Sequence, residues 1–148
     1  MIRPRHPDSS IARDAAWESS IVATFYRLSI TPEKGEEDQV SGDWIKAHEA
    51  FHQALVSACD NVWMLRVRSI LYTQCERYRS LVVVRGDQVG RDLVKEHQEI
   101  MDAAVARDME LASALLRNHY NRTSHDWVES LRRKAKTGLK PPVIMVKD

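Results

Sequence analysis

This sequence predicts an all-α antiparallel helical bundle with a metal site in its centre. Three observations favour that fold class. Apolar residues recur with the 3.6-residue period of a helix over most of the chain, Gly and Pro number only five each, and four histidines fall on the apolar stripes. The length of 148 residues is typical of a single domain with one substantial core.

The first two helices are predicted over about 10–28 and 43–59. Ile21 and Phe25 lie on the apolar stripe of the first helix. The polar stretch TPEKGEEDQVSG that follows contains Pro and Gly and is typical of a loop. Phe51 lies on the stripe of the second helix, which therefore has one face for the core.

Three further helices are predicted over about 62–84, 88–106 and 108–136. Asp108 is expected to cap the start of the last helix, because a short acidic side chain accepts hydrogen bonds from the first turn. Residues 137–148 contain two prolines and are predicted to form a C-terminal tail outside the bundle.

Charge and cysteine content exclude several classes of protein. The chain has 22 basic and 21 acidic residues, interspersed along its length, whereas a nucleic-acid-binding domain usually carries a basic face. The two cysteines form no CxxC motif, and the chain shows neither a secretory segment nor an apolar run of about 18 residues. These features predict a reduced, cytoplasmic protein.

Four of the six histidines lie on apolar faces of three predicted helices. His48 and His52 are one helical turn apart and share a face, and His97 and His119 lie on the stripes of the fourth and fifth helices. A buried imidazole without a partner costs about 1–3 kcal/mol, so one divalent metal ion shared by all four would explain their position. The alternative is a metal-free interaction domain in which the histidines are hydrogen-bonded core residues.

A helical metal-dependent hydrolase is a further alternative. His125-Asp126 is an HD dipeptide, but the only Asp after it is the terminal Asp148. A hydrolase would also use a general base beside the metal. Glu49 and Glu96 adjoin histidines in sequence, yet helical geometry turns each about 100° away from its neighbour. The sequence therefore favours a protein that is not an enzyme.

The residues around the histidines resemble a known family. The runs AHEAFHQALVSACDNVWMLR (47–66) and KEHQEIMDAAVARDMELASALLRNHYNRT (95–123) are similar to the FCD domain, the ligand-binding domain of FadR-type regulators in the GntR superfamily. That family combines an acid-x3-His pair, an E-H dipeptide, a G/R-D turn and a histidine on the final helix. AWESSIVATFYRLS and LYTQCERYRSL are most similar to the branch of the glutarate-responsive repressor of carbon-starvation genes.

The resemblance implies that residues 1–136 form an FCD-like effector-binding domain in a homodimer. It implies a divalent metal held by His48, His52, His97 and His119, although the family usually has Asp where this chain has His48. Four neutral imidazoles favour Zn or Ni over Mg or Ca and leave the charge of the ion uncompensated. A small carboxylate or dicarboxylate is therefore the expected effector.

Arginine is the expected partner for the far end of such an effector, because its guanidinium pairs with a carboxylate through two parallel hydrogen bonds. The candidates are Arg66, Arg77 and Arg79, with Tyr72 as a weaker one. Nothing in the chain resembles the winged helix-turn-helix that precedes the FCD domain in the family. The chain alone is therefore not expected to bind DNA.

Overall fold

Five α-helices make up the described part of the chain. A computed structural model describes residues 7–35, 40–82 and 91–136, with the backbone alone at 7–13, 76–82, 131 and 134. The helices are α1 (Pro7–Ile30), α2 (Gly42–Val56), α3 (Val62–Val82), α4 (Leu93–Val105) and α5 (Met109–Lys136). The all-α prediction is confirmed, and Lys34 and Val40 form an isolated β-bridge between α1 and α2. The predicted tail at 137–148 lies outside the described residues.

Short polar side chains start four of these helices. Ser41 accepts a hydrogen bond from the first turn of α2, and Asn61 does the same for α3. The Asp108 Oδ1 atom accepts from the Leu111 N–H at 2.9 Å, so the predicted cap of α5 is confirmed. The helix α4 begins at Leu93, behind the cap Asp92, and its predicted start near 88 falls outside the described residues.

A tight turn joins α4 to α5 and holds both against α1. Arg107 has a φ of 61°, and the N–H groups of Asp108 and Arg107 donate to the carbonyls of Ala103 and Ala104. This is the Schellman arrangement, in which glycine usually takes the left-handed position. The Arg107 guanidinium lies 4.6 Å from the centre of the Trp17 ring on α1, so contacts with α1 accompany this less favourable backbone conformation.

The core lies where α1 packs against α2 and α4, and α4 packs against α5. Phe51 and Ile21 are fully buried, and the Phe51 ring meets Phe25 edge to face with a centroid separation of 6.0 Å. The Trp17 indole N–H donates to the Ala54 carbonyl at 3.0 Å. The buried apolar cluster comprises Ile21, Leu28, Trp44, Ala47, Phe51, Ala54, Ile100 and Ala104.

The helix α3 packs against α5 and leaves much of its apolar surface exposed. Trp63, Val67, Ile70 and Leu71 recur at helical spacing, yet each is more than half exposed. The helical period therefore predicted the conformation of α3 correctly, but it did not decide whether its apolar stripe is covered within one chain. In the described part of the chain, no helix is long and apolar enough to cross a membrane.

Candidate metal centre

The helix α2 places two imidazoles side by side in the core. His48 and His52 lie four residues apart on the inward face that also carries Phe51, and their exposed fractions are 4% and 2%. Their Nε2 atoms are 3.1 Å apart. The close approach follows from helical geometry, which puts both rings on one side of α2.

The helices α4 and α5 bring the other two histidines to the same point. His97 and His119 are 1% and 3% exposed, and their ring centroids are 4.6 Å apart. The His97 ring also meets those of His48 and His52 edge to face. One nitrogen from each of the four rings lies within 4.8 Å of the others. The structure thus brings together the four histidines that the sequence singled out, here called the histidine cluster.

Hydrogen bonds outside the histidine cluster define the tautomers of two members. The His97 Nδ1 atom is 2.6 Å from the Leu93 carbonyl, and the His119 Nδ1 atom is 3.0 Å from the Glu96 Oε2 atom. The Arg91 Nη2 atom also lies 3.4 Å from the His119 Nδ1 atom, but the contact with Glu96 is the shorter one. Because a carbonyl or an ionised carboxylate can only accept, both Nδ1 atoms carry a proton. In each neutral ring the lone pair is therefore on Nε2, the atom that a metal would bind.

The other two histidines are supported mainly by ring contacts. The Trp44 ring stacks on His48 with centroids 4.7 Å apart and an interplanar angle of 17°. The Tyr120 ring stacks on His52, and its hydroxyl lies 3.3 Å from the His52 Nδ1 atom. Aromatic packing therefore orients the α2 pair, while hydrogen bonds to groups that can only accept orient the α4–α5 pair.

The donor set fits a divalent transition metal. Two nitrogens that share one ion at about 2.1 Å lie about 3–3.4 Å apart, and the His48–His52 distance of 3.1 Å falls in that range. Imidazole nitrogens suit Zn, Ni, Co and Cu, whereas Mg and Ca prefer oxygen. The donor types and the His48–His52 distance fit such an ion, the four nitrogens lie within 4.8 Å of one another, and metal binding itself stays a prediction.

Arg91 and Glu96 form a buried ion pair beside the histidine cluster. The Arg91 Nε and Nη2 atoms donate to the two oxygens of Glu96, each at 2.8 Å, and Nη1 donates to Asp126 at 2.9 Å. Burial alone would raise the pKa of Glu96. Hydrogen bonds from Arg91 and His119 and the charges of Arg91 and Arg122 outweigh that effect and lower the pKa to about 2.

Sequence reasoning missed both roles in this pair. The sequence pointed to Glu96 as a possible general base and as part of the E-H dipeptide, and it gave no role to Arg91. The one available signal was the E-H dipeptide, because a carboxylate next to one histidine in sequence can accept a hydrogen bond from a histidine on another helix. Asp126 of the HD dipeptide binds Arg91, while His125 is 75% exposed and lies outside the histidine cluster.

Tyr72 is the one predicted effector-binding residue, among those with described side chains, that lines a groove between α3 and α5. Tyr72 is half-buried in this groove, whereas Arg66 is exposed with its guanidinium over the Trp63 ring at 5.7 Å. The side chains of Arg77 and Arg79 fall outside the described residues. The groove has a volume of about 530 Å³, and its apolar and aromatic lining comprises Trp63, Met64, Val67, Leu71, Tyr72 and Tyr120.

Arg68 is a further cation of this groove that sequence reasoning missed. Its Nη1 atom donates to the Gln53 Oε1 atom at 2.6 Å, and its guanidinium lies 5.6 Å from the centre of the Tyr72 ring. Its Nη2 atom is buried and has no hydrogen-bond partner among the described residues. Tyr120 lines the same groove and contacts His52, so the groove adjoins the histidine cluster.

An all-helical domain with four buried histidines from three helices is the class that this fold and site define. The family profile of the FCD domain matches residues 11–122, and the chain belongs to that family. It is 42% identical over 108 residues to BphR of Paraburkholderia xenovorans LB400, an uncharacterized HTH-type transcriptional regulator; the match covers 72% of this chain and 44% of that protein. It is 30% identical over 106 residues to the HTH-type transcriptional repressor GlaR of Escherichia coli K12, with 70% and 48% covered.

The chain therefore spans less than half the length of each of these two relatives. Both are named as transcriptional regulators, a class of protein that acts by binding rather than by catalysis. A search of the solved structures found no match.

Proposed function

We propose that this chain is the effector-sensing domain of a GntR-type transcription regulator. In this proposal the histidine cluster holds a divalent metal, and a small carboxylate or dicarboxylate binds to it. The observation that carries the proposal is the burial of four imidazoles within 4.8 Å of one another, two of them in the tautomer that leaves Nε2 able to coordinate. Zn or Ni is the expected ion because the donors are nitrogens.

The charge of the site supports an anionic effector. A divalent ion, when bound, supplies positive charge that four neutral imidazoles do not cancel. Glu96 contacts His119 of the cluster, but its charge is balanced by ion pairs with Arg91 and Arg122. A carboxylate from the effector would then supply the missing negative charge in a site with little water, where electrostatic attraction is strong.

The far end of the effector is proposed to lie in the groove between α3 and α5. Arg68 supports this placement, because one of its nitrogens is buried and available to a carboxylate. Arg66, Arg77, Arg79 and Tyr72 belong to the same helix and remain the candidates that the sequence proposed. The apolar walls of the groove suit the methylene chain of a dicarboxylate such as glutarate, the effector suggested by the family resemblance.

Regulation would follow from the linkage between effector binding and dimer geometry. In an intact regulator, a ligand shifts the population of two arrangements by its difference in affinity for them. In a homodimer, that shift would change the spacing of two winged-helix DNA-binding domains and hence the fit to paired half-sites. This chain would contribute the sensor and no catalytic step, in keeping with the regulators that it matches.

Metal content tests the proposal directly. Tag-free protein would be purified without added metal and analysed by mass spectrometry, beside His52→Ala and His125→Ala. We expect about one Zn or Ni per chain in the wild type and in His125→Ala, because His125 is exposed and outside the cluster. His52→Ala should lose the ion. A wild type without metal, even after reconstitution with Zn or Ni, would overturn the proposal.

Effector binding is tested by thermal stabilisation with glutarate. A ligand that binds the native state raises the melting temperature, so glutarate should stabilise the metal-loaded protein and not the metal-stripped protein. Arg68→Met should remove most of the shift, while Arg27→Met, which alters an exposed arginine on α1 outside the groove, serves as its matched control. Equal stabilisation of loaded and stripped protein would contradict binding at the metal.

A further inference from the structure

The buried side chain of Arg91 is linked to the His119 ring through Glu96 and also contacts His119 directly. Arg91 binds Glu96 with two parallel hydrogen bonds of 2.8 Å, and this fork fixes both the position and the plane of the carboxylate. The Glu96 Oε2 atom that receives one of these bonds also accepts from the His119 Nδ1 atom at 3.0 Å. The orientation of the His119 ring therefore depends on how Arg91 holds Glu96.

Arg91 is itself fixed by the helix that carries His119. Its side chain is only 4% exposed, and its Nη1 atom binds Asp126 on α5 at 2.9 Å. The second hydrogen of Nη2 is shared between the His119 carbonyl and the Thr123 Oγ1 atom, both 3.1 Å from Nη2, which also lies 3.4 Å from the His119 Nδ1 atom. Arg91 precedes α4 in the chain, so these bonds tie the start of α4 to two successive turns of α5.

A second arginine provides an internal comparison. Arg122 also forms an ion pair with Glu96, but with one nitrogen only, 2.8 Å from the Glu96 Oε1 atom, and its side chain is 56% exposed. An exposed pair of this kind contributes little, because water can replace it. Arg91 and Arg122 thus contact the same carboxylate with the same charge, and they differ in burial and in the number of bonds.

We propose that Arg91 is a positioning residue that holds His119 in the metal-binding tautomer through Glu96. The expected effect of Arg91 on metal affinity rests on the proposed function, whereas its expected effect on the tautomer of His119 does not. An isolated neutral imidazole prefers its proton on Nε2, which would block that atom from coordinating. The Glu96 carboxylate reverses this preference by accepting from Nδ1, and Arg91 keeps the carboxylate in place.

The first test is made on metal-free protein by ¹⁵N nuclear magnetic resonance of the histidine rings. At pH 8 the wild type and Arg122→Met should show His119 with its proton on Nδ1. Arg91→Met should show a mixture with a substantial Nε2–H population, because Glu96 is then held by the exposed Arg122 alone. A His119 signal in Arg91→Met unchanged from the wild type would overturn the proposal.

The second test measures Zn²⁺ affinity by competition with a chromophoric chelator. Loss of an outer partner of a metal-binding histidine typically weakens binding by about 10–100-fold, and we expect a loss in that range for Arg91→Met. Arg122→Met should stay within about threefold of the wild type. Arg91→Lys keeps the charge but cannot form the fork, so it should lie between the two. Equal affinity in all four proteins would also overturn the proposal.

Circular dichroism of the metal-free proteins provides the folding control. If Arg91→Met does not fold, Arg91→Lys takes its place in both tests, with an affinity loss of several-fold and a partial tautomer change expected. A wild type that binds no Zn²⁺ would refute the proposed metal site, and the tautomer measurement would still decide the role of Arg91. The two failures are therefore distinguishable.

Discussion

The two halves of the histidine cluster are built in different ways. On α2, His48 and His52 follow from a four-residue spacing and are oriented by stacking with Trp44 and Tyr120. On α4 and α5, His97 and His119 each donate a proton to an oxygen acceptor, and the acceptor of His119 is held by a buried arginine. Packing alone leaves the tautomer of a neutral imidazole open, whereas a fixed acceptor decides it.

The difference has an energetic consequence. A stacked ring that loses only a polar substituent keeps its packing, so the cost of such a change is small. A buried ion pair behaves otherwise, since removal of one partner leaves the other charge without compensation in a medium of low polarity. The α4–α5 half should therefore be the more sensitive of the two to single substitutions of polar groups, and three predictions test that expectation.

The largest effect is expected for Glu96→Ala. It leaves Arg91 buried with only Asp126 as a charged partner, so the free energy of unfolding should fall by about 3 kcal/mol or more. Urea denaturation of the metal-free protein at pH 7 measures the change. Glu99→Ala on the same helix is the control, because Glu99 is exposed and should change stability by less than about 0.5 kcal/mol. Equal losses in both variants would contradict the role given to the ion pair.

An intermediate, pH-dependent effect is expected for Glu96→Gln. The folded protein lowers the pKa of Glu96 from 4.5 to about 2, so the ionised carboxylate stabilises the fold above pH 4.5. That contribution is at most about 3 kcal/mol and is lost as the pH falls from 4.5 towards 2. Denaturation of wild type and variant across this range should show their difference in stability shrinking. A constant difference would show that the charge of Glu96 is not responsible.

The smallest effect is expected for Tyr120→Phe on the α2 side. The change keeps the ring that stacks on His52 and removes a hydroxyl at 3.3 Å on a side chain that is 47% exposed. Water can replace this contact, so the loss should stay below about 1 kcal/mol. Tyr26→Phe, at a 63% exposed position, is the reference in the same denaturation assay. A loss as large as that of Glu96→Ala would remove the distinction between the two halves.

The sequence alone determined the helices and the candidates for the site. Helical period depends on residues three and four positions apart, so five helices could be predicted, and the structure contains five over its described residues. The same local rule put His48 and His52 on one face. It could also assign His97 and His119 to inward faces, because each shares its stripe with apolar residues.

Only the tertiary structure decided how these side chains are supported and which surfaces are covered. Arg91 lies outside any helix and meets His119, Thr123 and Asp126 at separations of 28 to 35 residues, where no periodicity links positions. The apolar stripe of α3 shows the same limit. Its period is that of a buried helix, yet the stripe is exposed. Helical period reports which side chains share a face, and the packing of whole helices decides what that face meets.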